Sequence, residues 1–192
     1  MTSDDRRRWE ARYADARPAT GAPSAFLVRH ADLIHGRVLD VAAGTGRNAL
    51  FLARRGAIVD AFDISLNGLR ALQTAARSER LPVRPVQADL VDYPLPADRY
   101  DAAINIRYLQ RSLFGALRRC VKPGGVILFE TFLIDHVVVG HVTNPAFLLQ
   151  PGELRRAFAD CDVLAYEEGR LDTEGAPASL ARLVAKRRTH VD

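Results

Sequence analysis

Three aspartates, Asp40, Asp63 and Asp89, and two glycines, Gly44 and Gly46, are the residues whose types and spacing could do chemistry here. Asp40 closes the apolar run Arg37-Val38-Leu39-Asp40-Val41, and Ala42-Ala43-Gly44-Thr45-Gly46 leads from it into Arg47-Asn48 and the periodic stretch Ala49, Leu50, Leu52, Ala53. That pattern reads as a strand, a tight loop and a helix. Glycine lets the backbone take positive φ and approach a ligand without a Cβ in the way, so the loop is expected to touch one.

Gly44-Thr45-Gly46-Arg47-Asn48-Ala49 also fits the dinucleotide pattern G-x-G-x-x-G/A. Asp40 argues against a dinucleotide, because a pyrophosphate brings negative charge to the loop and the helix N-terminus. An acid there would instead attract an ammonium or a sulfonium. S-adenosylmethionine (SAM) carries both. Asp63 ends a second apolar run, Ile58 to Asp63, about 20 residues past the loop, where an acid can accept both hydrogen bonds of a ribose diol. Ser65 supplies the cap of the helix that follows. In Ala88-Asp89-Leu90, Asp89 could accept an adenine amino group or simply cap a loop.

These residues need a scaffold, and the periodicity supplies one. A helix over 5–16 carries Trp9 and Tyr13 on one side, either as a docking face or as a cover over the ligand. A second helix begins at Pro23-Ser24 and stops at Gly36. Strands are predicted at 37–42, 58–63, 100–106, 126–130, 162–166 and 179–185, with a proline-bearing strand at 81–87 that only a sheet edge tolerates. Helices are predicted at 47–55, from Ser65 onward, from Arg107 to Cys120, and at 151–158. Lys122-Pro123-Gly124-Gly125 reads as a turn. The stretch 132–150 is apolar without periodicity, as a lid or binding loop would be. Alternating strands and helices that end in helix-strand-strand predict an α/β, Rossmann-like doubly wound fold. Its seven-stranded sheet should run in the order 3-2-1-4-5-7-6 with strand 7 antiparallel.

With 192 residues, 48% of them hydrophobic and 26% charged, one soluble domain over 1–192 is expected. Residues 1–36 would form the N-terminal helices or lid, and 37–192 the core. No apolar run approaches membrane-spanning length, and the acidic start resembles no signal peptide, so the cytoplasm is the expected location. Cys120 and Cys161 lack metal-type spacing and read as reduced packing residues. The net charge of +4 rests on arginines, with lysine only at 122 and 186, and the basic clusters lack interleaved aromatics. This argues against nucleic acid as a partner.

Taken together, these residues resemble class I SAM-dependent methyltransferases over nearly the whole length. Asp40-Val41-Ala42-Ala43-Gly44-Thr45-Gly46 resembles the family's acid and glycine loop, Asp63-Ile64-Ser65 its ribose acid and helix cap, Ala88-Asp89-Leu90 its adenine segment, and Lys122-Pro123-Gly124-Gly125 its turn before strand 5. Within the class the chain looks most like the small tellurite-resistance methyltransferases, through 46–53, the Trp9 to Tyr13 lead-in and 147–156. It departs from them in two places. Ala42 stands where the loop usually has its first glycine, which requires Ala42 to keep strand-like φ. Arg170-Leu171-Asp172 stands where the tellurite enzymes have a His-Arg pair. The resemblance implies SAM as cofactor, held by Trp9, Tyr13, Asp40, Ala42, Gly44, Gly46, Asn48, Asp63, Ile64, Asp89, Leu90 and Asn105.

Methyl transfer from a sulfonium is an in-line displacement in which the protein mainly positions reactants and excludes water, so no metal and at most one base are needed. The acceptor would be a small molecule. Candidates near the reacting methyl are Arg107, Tyr108, Arg111, Glu130, Thr131, His136 and His141, with Arg107 and Arg111 able to orient an anion. Asn105-Ile106-Arg107-Tyr108 is not the Asn-Pro-Pro-Tyr site that reads amide or adenine amino groups. Two alternatives share the glycine loop: a nicotinamide-dependent oxidoreductase, for which no lysine is present from 1 to 121, and a SAM-binding protein without catalysis.

Overall fold

A computed structural model describes residues 3–14, 21–135 and 144–189. Its seven strands form one sheet in the order β3-β2-β1-β4-β5-β7-β6. They are β1 (Arg37–Val41), β2 (Ile58–Asp63), β3 (Val83–Gln87), β4 (Tyr100–Ile106), β5 (Val121–Phe132), β6 (Asp162–Leu171) and β7 (Ala178–Lys186). The first five run parallel, and β7 pairs antiparallel with both β5 and β6. β3 pairs only with β2, so Pro82 and Pro85 cost no second ladder.

Because strand side chains alternate, consecutive residues feed opposite cores. Val38, Val59, Ala61 and Ile104 pack against Phe26 and Leu27 of α2 (Ala25–Arg29), Leu50 and Leu52 of α3 (Arg47–Arg54), and Leu69 and Leu72 of α4 (Leu66–Ser78). Leu39, Val41, Phe62 and Ala103 pack on the other face against Leu113 and Leu117 of α5 (Leu113–Cys120) and Leu154 of α6 (Glu153–Ala157). Both faces of the central strands are thus covered, and β1, β2 and β4 point their carboxyl ends the same way. Cys120 and Cys161 are free and buried, and burial pushes the Cys120 thiol up to about 12. Among the described residues no helix is long and apolar enough to cross a membrane.

Several expectations are corrected. The helix predicted from Arg107 begins only at Leu113. Arg107 is left-handed (φ 63), and the Asn105 amide donates to the Tyr108 carbonyl at 2.7 Å, holding the chain in a turn. The expected end of strand 5 at 130 moves to Phe132, and β6 extends to Leu171. The described ends of the 132–150 stretch are scaffold. Leu133, Leu148 and Leu149 are buried, and Arg111 is committed to Glu153 and to the carbonyls of Ala146 and Leu148. His136 and His141 lie outside the described residues.

Ala42 does not keep strand-like φ. It sits at φ 55, while Ala43 N–H donates to the Phe62 carbonyl at 2.9 Å and ties the departing loop to β2. An L-residue in this region costs about 1–2 kcal/mol, offset in part by the greater unfolded-state entropy of glycine. Ala42→Gly is therefore expected to raise stability by about 0.5–1 kcal/mol in urea denaturation. A loss of stability would show that Ala42 does not carry this strain.

Candidate functional site

The carboxyl ends of β1, β2 and β4 enclose a cleft of about 350 Å³. Trp9, Tyr13, Ala42, Gly44, Asn48, Asp63, Ile64, Leu90, Arg107 and Tyr108 line it, together with Arg12 and Arg47. Asp40, Gly46, Asp89 and Asn105 do not. Asp89 turns back on its own loop, accepting from Val91 N–H at 3.0 Å, and Asn105 is spent on the Tyr108 turn.

The glycines have separate jobs. Gly44 (φ 57) lies directly under Tyr13, whose hydroxyl would stand 2.7 Å from an added Cβ. Gly46 (φ 87) faces away, and a Cβ there would come 2.1 Å from Leu72 Cδ1, so it seats the loop on α4. Asn48 accepts from Ser24 N–H at 3.0 Å, fixing the start of α3 to the segment before α2.

Asp63 holds the loop from β2. Its carboxylate accepts from Gly44 N–H at 2.7 Å and from Ser65 N–H at 2.8 Å, leaving lone pairs for a ligand donor, since a carboxylate accepts about four hydrogen bonds. Burial raises its pKa, and these backbone N–H groups oppose the rise. Asp40 is buried behind the loop, accepts from Ala49 N–H, and leaves Oδ2 without a partner. Burial pushes its carboxyl up to about 8; the Asp63 charge adds to the rise and Arg47 opposes it.

The cover comes from α1 (Ser3–Arg12), docked by a residue the sequence reading missed. Glu10 caps α4 from outside, accepting from Leu66 N–H at 2.8 Å, Asn67 N–H at 3.1 Å and Ser65 Oγ at 2.9 Å. These donors are the orphan groups of a helix start, where negative charge is favoured. They also hold the Glu10 pKa down against desolvation. Trp9 and Tyr13 stack with centroids 6.0 Å apart. Glu10→Ala is expected to undock α1, seen as faster amide exchange over 6–14 with the 37–63 segment unchanged. Unaltered exchange over 6–14 would mean that Trp9 and Tyr13 alone hold the helix.

At the β5 end, Glu130 is fully buried and meets Arg182 of β7 at 2.6 Å and Arg107 at 3.0 Å. Arg182, Arg47 and Glu174 were also missed by the sequence reading. Arg182 had a signal, a lone charge inside the apolar run of β7.

Residues 38–125 match the family described as a methyltransferase domain. An uncharacterized methyltransferase of Mycobacterium tuberculosis is 37% identical over 114 residues, 56% of this chain and 57% of that protein. A ubiquinone biosynthesis O-methyltransferase of Chromobacterium violaceum is 31% identical over 153 residues, 68% of this chain and 66% of that protein. The crystal structure of TehB from Haemophilus influenzae superposes with a TM-score of 0.75 at 21% identity, covering 94% of this chain and 67% of that one. The chain spans about half to two thirds of the length of the curated relatives it matches. Residues 38–125 are thus similar to methyltransferase domains, and the fold is that of the class I SAM-dependent methyltransferases, whose cofactor is SAM.

Proposed function

We propose that this chain, as one domain, transfers a methyl group from SAM to a small-molecule acceptor by in-line displacement. The observation that carries the reading is the pairing of two buried acids, Asp40 behind the glycine loop and Asp63 beside it, at one end of a cleft roofed by Trp9 and Tyr13. This pair of acceptors suits a ligand with a diol and an ammonium-bearing amino-acid end, and suits a pyrophosphate poorly. The relatives that bear a methyltransferase name support the same reading.

In this reading Asp63 accepts from the ribose diol, and Ile64, Leu90 and the Asp89 segment border the adenine. Asp40 acts through its charge from behind the loop. Gly44 keeps the approach open, while Gly46, Asn48 and Asn105 hold the loop and the turn after β4. SAM supplies an activated methyl on a sulfonium. The residues of this chain then align the acceptor and exclude water, with Tyr108 placed to orient the nucleophile. Mass spectrometry of the purified protein should find SAM or S-adenosylhomocysteine (SAH) carried through, and an acceptor screen should release SAH. A co-purified nicotinamide cofactor would overturn the reading.

A pH dependence follows. The Asp40 pKa lies well above its unfolded value of about 4. Its contribution to stability is therefore full below pH ~4 and is lost as pH rises through about 8. A cation in the cleft favours the ionised form. SAH should therefore bind more tightly as pH rises from ~6 to ~8, with proton release at pH ~7 detectable by calorimetry in buffers of different ionisation enthalpy. Affinity independent of pH in that window would remove Asp40 from the site.

A further inference from the structure

We infer that the acceptor carries a carboxylate or comparable oxyanion and that Arg107 is the residue that holds it. The inference rests on the proposed SAM site and adds the class of its second substrate. Seven side chains form one alternating line from the surface into the cleft: Arg29, Glu167, Arg182, Glu130, Arg107, Glu174, Arg47. Among the described residues this line has a guanidinium at each end, so four cations face three carboxylates. One end of the line lies at the cleft, where Arg107 and Arg47 are lining residues.

Arg107 is built for this task. Its backbone is held in a left-handed conformation, with N–H donating to the Glu130 carbonyl at 2.7 Å, and its Nε is pinned to buried Glu130 at 3.0 Å. The guanidinium lies 5.0 Å over the Phe132 ring. Nη2 is buried and makes no hydrogen bond. Glu174 lies 3.6 Å from it, outside hydrogen-bonding range and itself bonded to Arg47 at 2.6 Å. A buried charged donor left unfilled is costly, and an arriving oxyanion would fill it with a charge-assisted bond. Glu174 stands at the place that oxyanion would take, as a resident counter-charge.

The anion could come from the acceptor or from the amino-acid end of SAM itself. Arg107 is anchored over β5, two strands beyond β1 and on the far side of the cleft from Asp63, which favours the acceptor. Arg111, the other arginine of this turn, is consumed by Glu153 and two carbonyls and offers no alternative.

The test is calorimetric titration of paired probes, benzoate with benzamide and acetate with acetamide, into the full chain saturated with SAH. At least one anion is expected to bind ~10-fold or more tighter than its neutral partner, as one charge-assisted hydrogen bond implies. Arg107→Gln should abolish that preference while leaving SAH affinity within ~2-fold. Should Arg107→Gln melt early, Arg107→Lys keeps a charge beside Glu130 and should still lower the preference. Glu174→Gln, which removes the resident counter-charge, should tighten anion binding. Equal binding of every anion and its neutral partner would overturn the inference. So would a loss of SAH affinity in Arg107→Gln without a matching loss for 5′-methylthioadenosine, which lacks the amino-acid end and would identify the anion as the cofactor's own carboxylate. A wild-type chain that fails to bind SAH would sink the SAM reading alone, and the same probe pairs on the ligand-free protein would then decide the anion site.

Discussion

Arg182→Leu should destabilise the protein by about 3–5 kcal/mol, the usual cost of leaving one partner of a buried ion pair uncompensated. Arg182 is 2% exposed and Glu130 not at all, with 2.6 Å between Nε and Oε2. The arginine also donates to Glu167 at 3.3 Å and to the Asp172 carbonyl at 2.7 Å, and lies 5.4 Å over the Phe26 ring. Removing it strands Glu130 with Arg107 and a long hydrogen bond from Ser24 at 3.4 Å. The loss should therefore sit toward the lower end of that range. Glu130→Leu alone should cost a similar amount, because buried Arg182 then keeps only the 3.3 Å contact to Glu167 as a counter-charge. The double variant should cost clearly less than the sum, since well-packed apolar residues replace such pairs at little net cost. Chemical denaturation of the four proteins gives the coupling directly. Additive losses would mean that the two side chains do not share one desolvated site.

Asp63→Asn is expected to weaken SAH by about 2–4 kcal/mol, or roughly 30- to 1,000-fold, from the loss of charge-assisted bonds to a diol. The geometry adds a second route to the same loss. An asparagine has one accepting oxygen, and the carboxylate now accepts from both Gly44 N–H and Ser65 N–H. One of these donors would then face an amide NH₂, which loosens the loop. Stability should change less than affinity, because a costly buried charge is also removed. Isothermal titration with SAH, alongside thermal melting, separates the two. An unchanged SAH affinity would exclude Asp63 from the cofactor site.

How much of this was legible in the sequence depends on the range of the interaction. The strand order, the edge position of β3 and the positive φ of Gly44 and Gly46 follow from local periodicity, proline chemistry and glycine spacing, and all are found as expected. Ala42 misled because an alanine reads as strand, whereas the turn toward Phe62 imposes φ 55 whatever residue stands there. The helix start at Arg107 misled because one amide, that of Asn105, holds the turn. The Glu130–Arg182 pair is set by antiparallel register across 52 residues of sequence. Glu10 reaches its cap across 56. No local pattern encodes either contact, although a lone arginine in the apolar run of β7 signals that a buried acid awaits it. The apolar segment 144–150 reads as part of a lid in the sequence because its partners, Arg111 and α6, are distant in sequence or follow it.

The central claim is that the cleft beside Asp40 and Asp63 selects a cationic adenosyl sulfonium over a pyrophosphate. The most direct measurement is parallel calorimetric titration of SAM and of NAD into the purified full chain at pH ~7. SAM should bind one per chain, with NAD at least ~100-fold weaker, a gap of about 2.7 kcal/mol, because the SAM cation draws Asp40 into its ionised form whereas a pyrophosphate gains nothing from Asp40 and meets the Asp63 carboxylate. NAD binding as tightly as SAM, or SAM failing to bind at all, would contradict the account.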